Sequence, residues 1–275
     1  MEKRGSAARG HPDLFKALGG SAFYMENNEI IRTVLAYASG LMGMGYSQRH
    51  RYRLYTGGSA DCSSFVFAAF LSAGIVLKTH GRENRVSCRQ VYSEGFDLLF
   101  PDRLSVVGKN GYWAPKGFYR EFDWHPGDII FYCNDMNTRR RNRITHVAVC
   151  MDGEHIIHDG NNAEKVCIKN ISYGDGRITA VIRLKDNAVP RACGILKRSS
   201  VFGTDIMRMQ LLLNTGLPEA KLNCLGFMTR KTADALVGFR LSIGMTNKAV
   251  CDEAVWQKLL DKTRKHMKQS SDFGS

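Results

Sequence analysis

Hydrophobic and polar spacing divides the chain into helical and strand-forming stretches. Behind the polar Asn27-Asn28-Glu29, the residues Ile30, Val34, Tyr37, Ala38 and Leu41 recur at helical spacing, and Gly40, Gly43 and Gly45 follow them. A one-faced helix is predicted there. The polar cluster from Ser59 to Ser64 then leads into an apolar run from Phe65 to Ala73 that stops at Gly74. It predicts a helix N-capped by Asp61 or Ser59 and, lacking a polar face, buried on most sides. After His125-Pro126-Gly127 the pattern turns to short strands at 128–133, 146–150, 154–158, 166–168 and 177–183. Met151-Asp152-Gly153 signals a hairpin between the second and third. Beyond residue 200, helical spacing returns in three segments, beginning near Asp205, Thr229 and Asp252. A helical half followed by an antiparallel half predicts an α+β fold, with a three-helix unit behind it.

Composition bounds what such a chain does. Its 275 residues allow an ample core in one large or two smaller domains. The expected division is a loose leader over 1–22, a first domain over 23–186, a linker over 187–200, a helical domain over 201–262 and a charged tail over 263–275. Net charge is +13, which favours an anionic partner such as a cell wall, an acidic membrane surface or nucleic acid. Two basic stretches, Arg49 to Arg53 and Arg139 to Arg143, carry part of it. Eight cysteines show no Cys-x-x-Cys spacing, so no metal site is expected. No apolar run reaches the roughly 18 residues of a membrane span, and Met1 to Gly5 has no apolar signal-peptide core. The weakly periodic stretch up to Trp124, with Tyr112 and Trp113, reads as a wall of a site or as an insertion with its own small core.

The chemistry gathers at three residues. Cys62 falls in the first turn of the buried helix, where free N–H groups and the helix dipole favour a thiolate; the alternative is a plain core cysteine. His146 opens one strand of the hairpin and His158 closes the other. A two-residue turn sets Asp159 across from His146, whereas a three-residue loop with Gly153 left-handed sets His158 there, on the same face. His155 then points away, so His155 and His158 are not a metal pair. A thiol needs a base, and the base needs a group that fixes its tautomer. Cys62, His146 and His158 fill these roles in chain order, with Asp159 as the other candidate for the third.

The motifs Gly45-Tyr46-Ser47-Gln48, Asp61-Cys62-Ser63-Ser64-Phe65-Val66, Pro126-Gly127-Asp128-Ile129, His146-Val147-Ala148-Val149 and Ile156-Ile157-His158 resemble the NlpC-type cell-wall cysteine peptidases over about residues 24–185. The resemblance implies a papain-like core and an amide hydrolase of peptidoglycan without metal or cofactor. It makes Cys62 the nucleophile, His146 the base and His158 the orienting residue, with Tyr46, Asp61 and Ser63 along the peptide groove. Ser64 replaces the family's usual glycine, a variant similar to phage lysins, and Gly57-Gly58 is displaced from its usual place. The C-terminal unit resembles a peptidoglycan-binding three-helix domain, with Asn223 to Gly226 in place of its Asp-Gly turn. An endolysin is the implied setting, made in a host cytoplasm and acting on the wall. The implied cut is the D-glutamyl to diamino-acid bond or the muramoyl to L-alanine amide. Rival classes are a nucleic-acid binder using the arginines and a non-catalytic wall protein.

Overall fold

The computed structural model describes residues 27–77, 95–100, 114, 116–133, 144–160, 164–191 and 193–270. The leader over 1–22, Tyr112, Trp113 and the Arg139–Arg143 stretch lie outside the described residues. Helix α1 (Asn27–Ser39) buries the predicted stripe of Ile30, Val34, Tyr37 and Ala38. Strands β1 (Gly45–Tyr46) and β2 (Ser59–Ala60) follow, and helix α2 (Cys62–Ser72) begins directly after them. Its cap is reciprocal. Asp61 Oδ1 accepts from the Ser64 amide at 2.8 Å, and the Asp61 amide donates to Ser64 Oγ at 3.0 Å. Two donors that the helix start would leave open are thereby satisfied. Every residue from Ser64 to Ser72 is buried, so α2 is the inner helix that the missing polar face predicted. Gly74, at φ +86°, ends it.

The chain continues through β3 (Phe96–Phe100), a one-turn helix α3 (Phe118–Glu121), β4 (Ile129–Tyr132), β5 (His146–Cys150), β6 (His155–Gly160), β7 (Lys165–Asn170) and β8 (Ile178–Leu184). These strands form one sheet in the order β2-β1-β7-β6-β5-β4-β8-β3. Only the β1–β2 pair is parallel. β1, β2 and β3 are too short or too weakly patterned to have been legible as strands. The sheet's faces differ, as a period of two requires. Val147, Val149, Ile157 and Phe131 meet α1 and α2. Ile130, Ala148, Ile156 and Val181 meet an outer cluster completed by Phe118, Phe122 and Trp124. The Pro126-Gly127-Asp128 turn ties the sheet to α1. A Cβ on Gly127, at φ +90°, would collide with Ile31. Asp128 is fully buried and accepts from Arg183 Nε at 2.7 Å and Nη2 at 2.8 Å, a paired charge of the kind an interior tolerates.

The last third holds β9 (Leu196–Lys197), α4 (Thr204–Gly216), α5 (Arg230–Ser242), β10 (Val250–Cys251) and α6 (Glu253–Ser270). β9 and β10 pair with each other, so part of the expected linker is ordered strand. α4, α5 and α6 share a core of Leu212, Leu213, Leu236, Phe239, Trp256 and Leu259. Met207, Leu211 and Cys224 also enter the core around α2. α6 runs past 260 to Ser270 because it packs along α1: Thr263 is buried, and Arg264 Nε donates to Thr33 Oγ1 at 3.1 Å. The expected charged tail over 263–275 is therefore helix as far as Ser270.

Candidate active site

Cys62 is the first residue of α2 and keeps a partly open surface. Its thiol accepts hydrogen bonds from the backbone N–H groups of Val147 and Ser63. The first of these fixes where the sulfur lies. The β5–β6 ladder pairs Cys150 with Ile156 and Val149 with Ile157 and records no pair beyond. The N–H of Val147, next to His146, is therefore available to the sulfur at the head of β5. The hairpin register differs from both sequence expectations. Met151 bonds to His155 across a three-residue loop of Asp152, Gly153 and Glu154, because the Asp152 side chain caps the Glu154 and His155 amides at 3.0 and 2.8 Å. Continued along the strands, this register sets Gly160 across from His146, not His158 or Asp159. The parity is kept, so both histidines share the outer face. Gly160 leaves the room: a Cβ there would sit 2.5 Å from His158 Cε1. Across it, His146 Nε2 and His158 Nδ1 hydrogen-bond at 2.9 Å. Asp159 faces the opposite side and does not orient His146. His155 is half-buried and bonds Asp152 at 3.0 Å, apart from the buried pair.

Burial sets the charge states. It pushes the Cys62 thiol up to about 12, with Asp61 adding to the shift and the two backbone donors opposing it. The helix start that favoured a thiolate is outweighed by desolvation. Burial lowers His146 to about 3, helped by His158 and Arg177, and lowers His158 to about 4, helped by Lys169. At neutral pH the resting groups are thus a thiol and two neutral imidazoles. Such a set forms a thiolate by passing the proton within the site as a bond forms, rather than by holding an ion pair beforehand.

Asp61, Ser63 and Tyr46 all lie at this helix start. Asp61 is buried, receives the Ser63 hydroxyl at 2.9 Å and pairs with Arg51 Nη1 at 3.1 Å. Its carboxylate is committed to the cap and to one arginine of the basic loop. Ser63 and Tyr46 are partly exposed, and burial raises the Tyr46 hydroxyl above its ordinary range. Two further residues come into the site that spacing did not single out for it, and Asp159 takes a different place from the one spacing offered. Tyr173 lays its ring 4.8 Å from His158 and 6.0 Å from His146. Cys167 Sγ lies 3.5 Å from His158 Nε2. Asp159 is fully buried, and among the described residues neither of its oxygens has a hydrogen-bond partner. Burial, and then the Asp61 charge, raise its carboxyl to about 8. Cys167 was findable only by knowing that β7 pairs with β6. Among the described residues, no group of three or more His, Cys, Asp or Glu side chains is placed to hold a metal ion.

Residues 47–182 match the profile of the NlpC/P60 family. Similar solved structures include NlpC1 from Trichomonas vaginalis, at 15% identity and TM-score 0.37, covering 59% of this chain and 45% of that one. An NLP/P60 family protein similar to a lipoprotein, from Staphylococcus aureus, is 19% identical at TM-score 0.37, covering 63% and 48%. The peptidoglycan hydrolase RipB from Mycobacterium tuberculosis is 18% identical at TM-score 0.37, covering 62% and 77%. The chain spans about half the length of the first of these. None of the curated proteins matches it.

Proposed function

The chain belongs to the NlpC/P60 family of peptidoglycan hydrolases over residues 47–182, and on that premise we propose that it cuts an amide bond of the wall peptide with Cys62 as nucleophile. His146 is the base and His158 the residue that orients it. The observation that carries this reading is the 2.9 Å bond from His146 Nε2 to His158 Nδ1, set where the amide of Val147 meets the Cys62 thiol. As the sulfur attacks the carbonyl carbon, its proton passes to His146 Nδ1. The oxyanion is met by the backbone N–H of Cys62 at the start of α2, the first-turn amide that neither the cap nor the thiol takes. The imidazolium then protonates the leaving amine as the C–N bond breaks. Water, activated by the same imidazole, cleaves the thioester and restores the thiol.

The D-glutamyl to diamino-acid bond is the proposed cut, with Tyr46 and Ser63 along the groove and Asp61 holding Ser63 and Arg51 in place. The Asp-Cys-Ser-Ser variant and the +13 charge support an endolysin-type setting, acting on the wall after synthesis in a host cytoplasm. The motif skeleton of the C-terminal helices supports wall binding by that unit. A nucleic-acid role is disfavoured for the loop at 49–53, since Arg51 is spent on Asp61. The test is mass spectrometry of fragments released from purified peptidoglycan. Cys62→Ala should release none while keeping the circular-dichroism spectrum; release by that variant overturns the reading. Fragments ending at free muramic acid would replace the endopeptidase assignment with an amidase.

A further inference from the structure

The line of hydrogen-bonding groups does not stop at His158. Strand β6 pairs with β7 so that His158 stands directly across from Cys167, and Cys167 Sγ lies 3.5 Å from His158 Nε2. The other ring nitrogen of His158 is the one bonded to His146. His158 is 1% exposed, so bulk solvent does not reach its ring. Cys167 itself is only half-buried. Among the described residues, Cys167 is thus the hydrogen-bond partner of His158 Nε2.

Two neutral imidazoles joined Nε2 to Nδ1 share one proton, and there are two ways to place it. If His158 Nδ1 donates, His146 carries its own proton on Nδ1 and has no free lone pair for the Cys62 proton. If His146 Nε2 donates, its Nδ1 is bare and can act as a base. The second arrangement requires the His158 proton to be on Nε2, and that N–H then needs an acceptor. We propose that Cys167 is a positioning residue of this site: its sulfur accepts the His158 Nε2–H and so holds both histidines in the tautomers that leave His146 Nδ1 free. The proposal rests on His146 being the base for Cys62. It adds a fourth member to the line, one that touches neither substrate nor nucleophile and acts only through His158.

The groups around the pair are Lys169 on β7 and Arg177 beyond it, which both disfavour a charged imidazole. The rings of Tyr173 and Tyr132 flank them, and Cys62 lies on the helix side. None of these supplies an acceptor to His158 Nε2 among the described residues, so removing the sulfur leaves a buried N–H unpaired.

The experiment compares the full-length protein with Cys167→Val, which keeps the volume but has no acceptor, and Cys167→Ser, which has one. Two readouts are used. Nitrogen-15 spectra of the histidine rings report the tautomers directly. Iodoacetamide labelling of Cys62, followed by peptide mapping across pH, reports how well His146 accepts the thiol proton without needing the wall substrate. Expected are Nε2–H signals for both histidines in the wild type. Cys167→Val should label Cys62 about fivefold to tenfold more slowly, the worth of about one net hydrogen bond, and mix the tautomers. Cys167→Ser should recover most of the rate. A His158 found protonated on Nδ1 in the wild type overturns the proposal, as does a Val variant that labels like the wild type with an unchanged pH profile, or a Ser variant as slow as the Val one. Unchanged labelling in His146→Ala would instead remove the base assignment itself and the relay with it.

Discussion

At the scale of single residues, the site is defined by groups that burial keeps uncharged. His146 and His158 are held at about 3 and 4, so the free base persists well below the ordinary histidine range. Hydrolysis of purified wall is therefore expected to stay near its plateau at pH 5, where an unperturbed imidazole near 6.5 would be mostly protonated; a rate already halved near pH 6.5 would contradict this. The same shifts act on stability. Below about 6.5 the unfolded chain takes up protons that the folded rings refuse, so stability falls as pH drops towards 3 to 4. Asp159 works in the other direction. Its folded carboxyl keeps a proton up to about 8, whereas an unfolded Asp loses it near 3.9. Its contribution is present below the unfolded value and lost as pH rises through about 8. Asp159→Asn, which ionises in neither state, should thus gain stability relative to wild type as pH rises from 4 to 8, by more than about 1 kcal/mol, because the unfolded wild-type chain ionises at this position and the folded one does not. Urea melts at pH 4 and pH 8.5 measure it, and an equal difference at both would refute the assignment.

At the scale of elements, two local devices place the thiol and the two imidazoles. The reciprocal cap between Asp61 and Ser64 starts α2 at the residue that carries the thiol. Asp61→Ala removes the cap and the Arg51 partner together, and a loss of about 1–2 kcal/mol is expected from the cap, read as a lower thermal midpoint. The second device is the hairpin. Its loop is lengthened by the Asp152 caps, and its register brings Gly160 beside the histidine pair. Gly160→Ala would press a methyl group on the His158 ring. Its expected signature is a fall in kcat of about tenfold or more with KM nearly held, since one misplaced contact in a catalytic geometry costs on that order. A rise in KM alone would show that the glycine serves the substrate instead.

At the scale of the whole molecule, the C-terminal helices are bound to the hydrolase fold by buried polar groups as well as by apolar packing. Arg208 on α4 donates to the carbonyl oxygens of Ser72 and Arg191, both at 3.2 Å, and stacks 5.6 Å from the Trp256 ring. Gly74 makes the space: a Cβ there would lie 2.8 Å from Arg208 Nη1. Asn214 joins the same junction, donating to Leu54 O at 3.2 Å and Leu222 O at 2.9 Å. Arg208→Met should cost about 1–3 kcal/mol by leaving carbonyls unpaired, and the α2 core and the helical unit should unfold together in one transition. Separate transitions in the wild type would contradict a shared core. The +13 charge acts over the whole surface. Binding to purified walls is expected to weaken from 50 to 500 mM salt, as screening shortens to a few ångströms.

Much of this molecule was settled by local sequence. The stripe from Ile30 to Leu41 and the unbroken apolar run from Phe65 to Leu71 identify helices of different burial, because side-chain period reports directly which faces must leave water. The β-rich stretch from Ile129 to Ile182 and the order Cys62, His146, His158 are legible for the same reason: alternation and turn residues are local. What local sequence left open was decided by contacts between distant residues. The register of the hairpin depended on Asp152 capping its own loop, and two or three residues at that turn fit several registers. The neutral state of Cys62 came from desolvation by the folded core, which outweighs the helix dipole. Cys167 and Tyr173 reach His158 only after β7 has closed onto β6, and the ordered run of α6 to Ser270 exists because α1 lies beside it. A pattern along the chain fixes which faces are buried; which partners share that burial is set only when the chain has closed upon itself.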